Sequence, residues 1–128
     1  MGKPVSSNVL RAETASLNTK VNKEVFGAFK DRCAYLGYPM NVMLETFMCQ
    51  YANGKFKLSE DDILKFKNDG KEVDALNTTF NKEVYTKFKN TCKGNGFFLK
   101  HVITAFMEKF ATGNFVLEYV NVEEAKNK

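Results

Sequence analysis

LNTKVNKEVFGAFKDRCAYLGYPMNVMLETFMCQYANGKFKL, residues 17–58, recurs as LNTTFNKEVYTKFKNTCKGNGFFLKHVITAFMEKFATGNFVL, residues 76–117. At a constant offset of 59 and without a gap, about 17 of 42 positions are identical, which marks an internal duplication. The matches are densest in L-N-T-x-x-N-K-E-V, which opens both copies. Later matches are residues that hold helices together or end them: Phe29/Phe88, Cys33/Cys92, Gly37/Gly96, Phe47/Phe106, Met48/Met107 and Gly54/Gly113. Each copy reads as a short opening segment followed by two helices around a glycine turn.

In the opening segment residues alternate. Leu17, Thr19 and Val21 stand on one side, and Ser16, Asn18 and Lys20 on the other. Copy two repeats this with Leu76, Thr78 and Phe80 against Ala75, Asn77 and Thr79, so the spacing predicts strands over 16–21 and 75–80. Asn22 and Asn81 are good N-caps for a first helix that runs to about residue 36 or 94, with apolar stripe Val25, Phe29, Cys33, Leu36 or Val84, Phe88, Cys92. Pro39 suits the first turn of a second helix. That helix has its apolar face on Met40, Leu44, Phe47, Met48 and Tyr51, matched by Leu99, Ile103, Phe106, Met107 and Phe110.

The remaining segments frame the repeats. Residues 1–15 read as a flexible arm, 16–58 as repeat one and 59–75 as an acidic linker whose Ser59-Glu60-Asp61-Asp62 opens a short helix to about residue 68. Repeat two covers 76–120, with 114–120 as a strand-like return, and 121–128 form a tail. A single unit of this size buries little apolar surface, which favours one domain in which the copies fold on each other.

The net charge of +4 is concentrated in the repeats, +3 in the first and +4 in the second, whereas residues 59–75 sum to −3. Three cysteines without CxxC spacing point to buried reduced thiols, not to disulfides or zinc, and so to a cytoplasmic protein. No apolar run approaches a membrane span and the first residues have no signal-peptide core. His101 has no second histidine and no carboxylate at ligand spacing, so it reads as facing solvent or phosphate, not a metal. Nucleophile elbows, phosphate-binding loops and HExxH are absent, and neither an enzyme nor a cofactor is expected.

A strand of this length must pair, and its equivalent partner is its own repeat. Antiparallel pairing makes a two-stranded ribbon over four amphipathic helices, a mainly α fold. This arrangement of strand, helix, glycine turn and helix resembles the ribbon-helix-helix family of phage repressors and plasmid regulators, which includes Arc and MetJ. The resemblance covers both repeats and implies a tandem pseudodimer in one chain, similar in plan to accessory DNA-binding proteins of plasmid transfer.

The resemblance implies that outward strand residues enter the DNA major groove: Ser16, Asn18 and Lys20 from one strand, Ala75, Asn77 and Thr79 from the other. It implies phosphate contacts at the start of each second helix, residues 38–42 and 97–101, through Tyr38, Asn41, Val42, Lys100 and His101. Here Pro39 and Phe98 replace the family's usual small hydroxyl residue at that start, and Ala75 offers no hydrogen bond. The expected partner is double-stranded DNA with an imperfectly palindromic or repeated site, because Lys20 and Thr79 differ at equivalent positions. Two or more molecules are expected side by side on repeated half-sites. The expected role is transcriptional repression, with plasmid transfer or partition as an alternative. A rival from another class keeps the fold but binds a protein partner through the ribbon or an aromatic helix surface.

Overall fold

The computed structural model describes residues 13–67 and 69–113. It is mainly helical, with one two-stranded antiparallel sheet. The elements are β1 (Thr14–Asn22), α1 (Lys23–Leu36), α2 (Met40–Ala52), α3 (Glu60–Leu64), β2 (Val73–Asn81), α4 (Lys82–Gly94) and α5 (Leu99–Ala111). Residues 1–12, the expected strand at 114–120 and the tail lie outside the described residues.

β1 pairs with β2 from Thr14↔Asn81 through Asn18↔Asn77 to Asn22↔Val73. The strands exceed the expected 16–21 and 75–80, so Thr14 and Ala15 belong to the ribbon instead of the arm, and Val73 and Asp74 to the ribbon instead of the linker. Backbone pairing continues there although the side chains at Thr14, Val73 and Asp74 are exposed and leave no apolar alternation to read. Leu17, Val21, Leu76 and Phe80 are buried and Thr19 and Thr78 half-buried, so the inward face is the predicted one.

The ribbon runs directly into helices. The Val25 N–H donates to Asn22 Oδ1 and the Val84 N–H to Asn81 Oδ1, both at 3.0 Å, which satisfies one open amide of each first turn. The residue ahead of each strand also caps the opposite helix: the Lys23 N–H donates to the Glu72 carbonyl and the Lys82 N–H to the Glu13 carbonyl, both at 2.9 Å. Gly37 and Gly96, at φ of 80° and 83°, make the turns to the second helices in a conformation only glycine adopts cheaply. Pro39 is the N-cap of α2, one residue before the helix, rather than part of its first turn.

Packing crosses between repeats. α1 lies mainly against α5 and α2 against α4, while helices of one repeat touch each other far less. Phe47 of α2 stacks on its counterpart Phe106 of α5, with centroids 4.2 Å apart and planes 7° from parallel. Around that pair the aromatic contacts come in matched sets. Phe29 meets Phe106 and Phe110 as Phe88 meets Phe47 and Tyr51, all edge-on at 5.6–5.7 Å.

The buried faces differ in detail from the periodic reading. Phe26 and Tyr85 are buried where Val25 and Val84 are only half-buried, and Met43 and Val102 are fully enclosed where Met40 and Leu99 are not. Helices crossing between repeats are covered on a wider arc than the single stripe the spacing picks out. The linker helix is also shorter than expected. It nonetheless inserts a fully buried Ile63 into the core and is pinned to α5 by the ion pairs Lys65–Glu108 and Asp62–Lys109, the latter at 3.0 Å.

Cys33 and Cys92 are buried and free, and burial pushes their thiols up to about 11 and about 12. Cys49, expected to be buried, is exposed on α2, with Asn53 Nδ2 3.5 Å from its sulfur. Thiolate is the reactive species. A thiol reagent at pH 8 is therefore expected to modify one cysteine per native chain quickly and three after denaturation, with Cys49→Ser abolishing the fast phase. Phe47→Ala and Phe106→Ala are each expected to cost about 3–5 kcal/mol, read by urea unfolding.

Candidate nucleic-acid interface

Side chains on a strand alternate between faces, so burying Leu17, Val21, Leu76 and Phe80 turns Ser16, Asn18, Lys20, Ala75, Asn77 and Thr79 outward. All six are exposed. They form three cross-strand pairs, Ser16–Thr79, Asn18–Asn77 and Lys20–Ala75. Asn18 and Asn77 are equivalent in the two repeats and face each other at the centre of the ribbon. The register thus pairs the two strands evenly about that central pair. The outward face is small, polar and without an aromatic ring. Its one charge, Lys20, stands off-centre.

The ends of the ribbon meet the starts of the second helices. At one end the Asn81 N–H donates to Glu45 Oε1 of α2 at 2.8 Å. Here Tyr38 is half-buried, Asn41 exposed and Val42 37% exposed. At the other end Lys20, Val21 and Asn22 share a cleft of about 570 Å³ with Phe98, Lys100, His101 and Thr104 of the α5 end. Neither Pro39 nor Phe98 supplies a side-chain cap, so the first-turn amides of α2 and α5 lack one.

Of the residues expected to contact phosphate, Lys100 and His101 are therefore brought together with Lys20, whereas Tyr38, Asn41 and Val42 lie at the opposite end beside a carboxylate. His101 does not face open solvent. It is 8% exposed, edge-on to the Phe98 ring at 5.7 Å. Burial, then the ammonium groups of Lys100 and Lys67, pull its imidazole below the ordinary range, with Asp69 opposing.

Sequence reasoning missed the linker's share of this end. Phe66, Lys67, Asp69 and Lys71 line the same cleft, and Asn22 Nδ2 donates to Asp69 Oδ2 at 3.4 Å. The linker's net negative charge concealed its lysines. Glu45 was also missed, although it aligns with Thr104 and the difference was visible at the fixed offset.

Among the described residues no group of three or more metal-ligating side chains occurs, and no helix is long and apolar enough to cross a membrane. Compared with models of known protein families, with curated proteins and with solved structures, the chain matches none.

The depressed His101 gives a pH prediction. The unfolded chain, with an ordinary imidazole near 6.5, binds the proton at a higher pH than the folded one, so this contribution to stability is present above about pH 6.5. It is lost as pH falls towards the folded value. Urea midpoints are expected to drop from pH 7 to pH 5, and His101→Gln to flatten that dependence.

Proposed function

We propose that this chain is a sequence-specific double-stranded DNA-binding protein of phage or plasmid type, a transcriptional repressor built as a tandem ribbon-helix-helix pseudodimer that lays its ribbon in the major groove. The observation that carries the reading is the outward ribbon face, small and polar, with Asn18 opposite Asn77 at its centre. A two-stranded ribbon fits the major groove, asparagine pairs bidentately with adenine, and lysine donates to guanine N7 and O6. A ribbon that docked on a protein would more often present aromatic anchors there.

The distribution of charge supports the same partner, since the repeats are basic and the acidic residues gather in the linker. From Ser16 to Lys20 the face spans about 13 Å, the rise of roughly four base pairs. That is too short for a unique address, so two or more molecules bind side by side on repeated half-sites. Within one site, Lys20–Ala75 at one end and Ser16–Thr79 at the other read different bases, which makes the palindrome imperfect.

The test is selection from a random duplex pool, with sequencing of the bound fraction, for the wild type and for Asn18→Ala/Asn77→Ala. The wild type is expected to select a short, repeated motif. The variant should keep its circular dichroism and lose roughly 5- to 150-fold in affinity per asparagine contact removed. Weak binding without a motif, steep in salt and shared by the variant, would discard the ribbon as reading head and turn attention to protein partners.

A further inference from the structure

We propose that the cleft at the Asn22 end of the ribbon is a site for a small phosphorylated ligand of nucleotide size, held by its terminal phosphate on Lys67, Lys71, Lys100 and His101. Three separate elements converge on it. Lys20 comes from β1, Lys67 and Lys71 from the linker and Lys100 from α5, against the single carboxylate of Asp69. That carboxylate is already engaged, accepting from Asn22 Nδ2 at 3.4 Å and from the Lys71 N–H at 3.0 Å. Four ammonium groups around one opening repel one another unless an anion lies among them.

His101 supplies the second, independent observation. It is more than nine-tenths buried, it lines this cleft, and its ring makes no hydrogen bond among the described residues. A ligand oxygen in the cleft would accept from its N–H. Burial, then the charges of Lys100 and Lys67, lowers the proton affinity of the ring, and a dianionic phosphate beside it would act in the opposite direction.

The size and lining of the cleft define the rest of the ligand. At about 570 Å³ it falls in the range of small-molecule sites, far larger than a lone phosphate, and Phe66 and Phe98 offer apolar ring surface for an aromatic group. A terminal phosphate can reach a recessed imidazole, whereas a phosphodiester flanked by sugars meets the rim first.

The site exists on one side only. At the equivalent positions of the other half stand Thr79 for Lys20, Asn41 and Val42 for Lys100 and His101, and Glu45 for Thr104. Lys20 also stands on the outward ribbon face, so an anion here takes up the charge intended for the groove. That consequence rests on the DNA-binding reading, while ligand binding itself does not.

The chain has one histidine, so imidazole resonances in a magnetic resonance spectrum report His101 alone. Adenosine 5′-monophosphate, added without DNA at constant ionic strength, is expected to shift them saturably at millimolar concentration and to raise the titration midpoint. Adenosine should do neither, and inorganic phosphate should bind more weakly. Lys67→Gln/Lys71→Gln, with unchanged circular dichroism, should weaken nucleotide binding at least tenfold. No saturable shift with the monophosphate, or equal binding by the variant, would overturn the site. A shift produced by a short duplex but not by the monophosphate would also overturn it, leaving a DNA-backbone contact; loss of sequence-selective DNA binding alone would not.

Discussion

Neither nine-residue strand would be stable alone, and the pairing of β1 with β2 governs nearly everything else in the molecule. A one-residue slip of β1 would turn Leu17 and Val21 outward and Asn18 inward while Leu76 and Phe80 stayed inward, so the buried face holds the register. The register in turn places equivalent residues opposite each other, Asn18 with Asn77 on the surface and Phe47 with Phe106 in the core. Because each strand passes directly into a helix, joining the strands carries α1 across to α5 and α4 across to α2.

Against this approximate symmetry the linker acts on one side. Ile63 enters the core and the ion pairs to Lys109 and Glu108 fasten α3 to α5. The chain then continues past the Asn22 end of the ribbon. Partly exposed ion pairs of this kind contribute little each, so the buried isoleucine anchors the segment and the charges orient it. The two ends of the ribbon consequently differ in charge, depth and access, although the strands between them are equivalent.

The strands, the four long helices, the asparagine caps and the glycine turns were legible because local chemistry dictates them: alternation, spacing of three and four, an Asn ahead of Lys-Glu, a glycine where φ is positive. The outward ribbon residues followed once the inward ones were known. What escaped was set by neighbours distant in sequence. Phe26 and Met43 lie on helices that pack against the other repeat, His101 lines a cleft shared with the linker, and Cys49 stays exposed at a cleft between α2 and α4. Hydrophobic periodicity reports which face a helix prefers to hide, not how wide a partner will cover it.

The mutual capping between Lys23 and Glu72, and between Lys82 and Glu13, makes each helix start depend on a carbonyl contributed by the other half. Were the halves separate polypeptides, those bonds and the ribbon itself would vanish on dilution. Tethered within one chain, the halves meet at an effective concentration on the order of millimolar however few molecules are present. The assembled state thus survives at very low copy number, and each half is free to change residues such as Lys20 or Glu45 without imposing the same change on its counterpart.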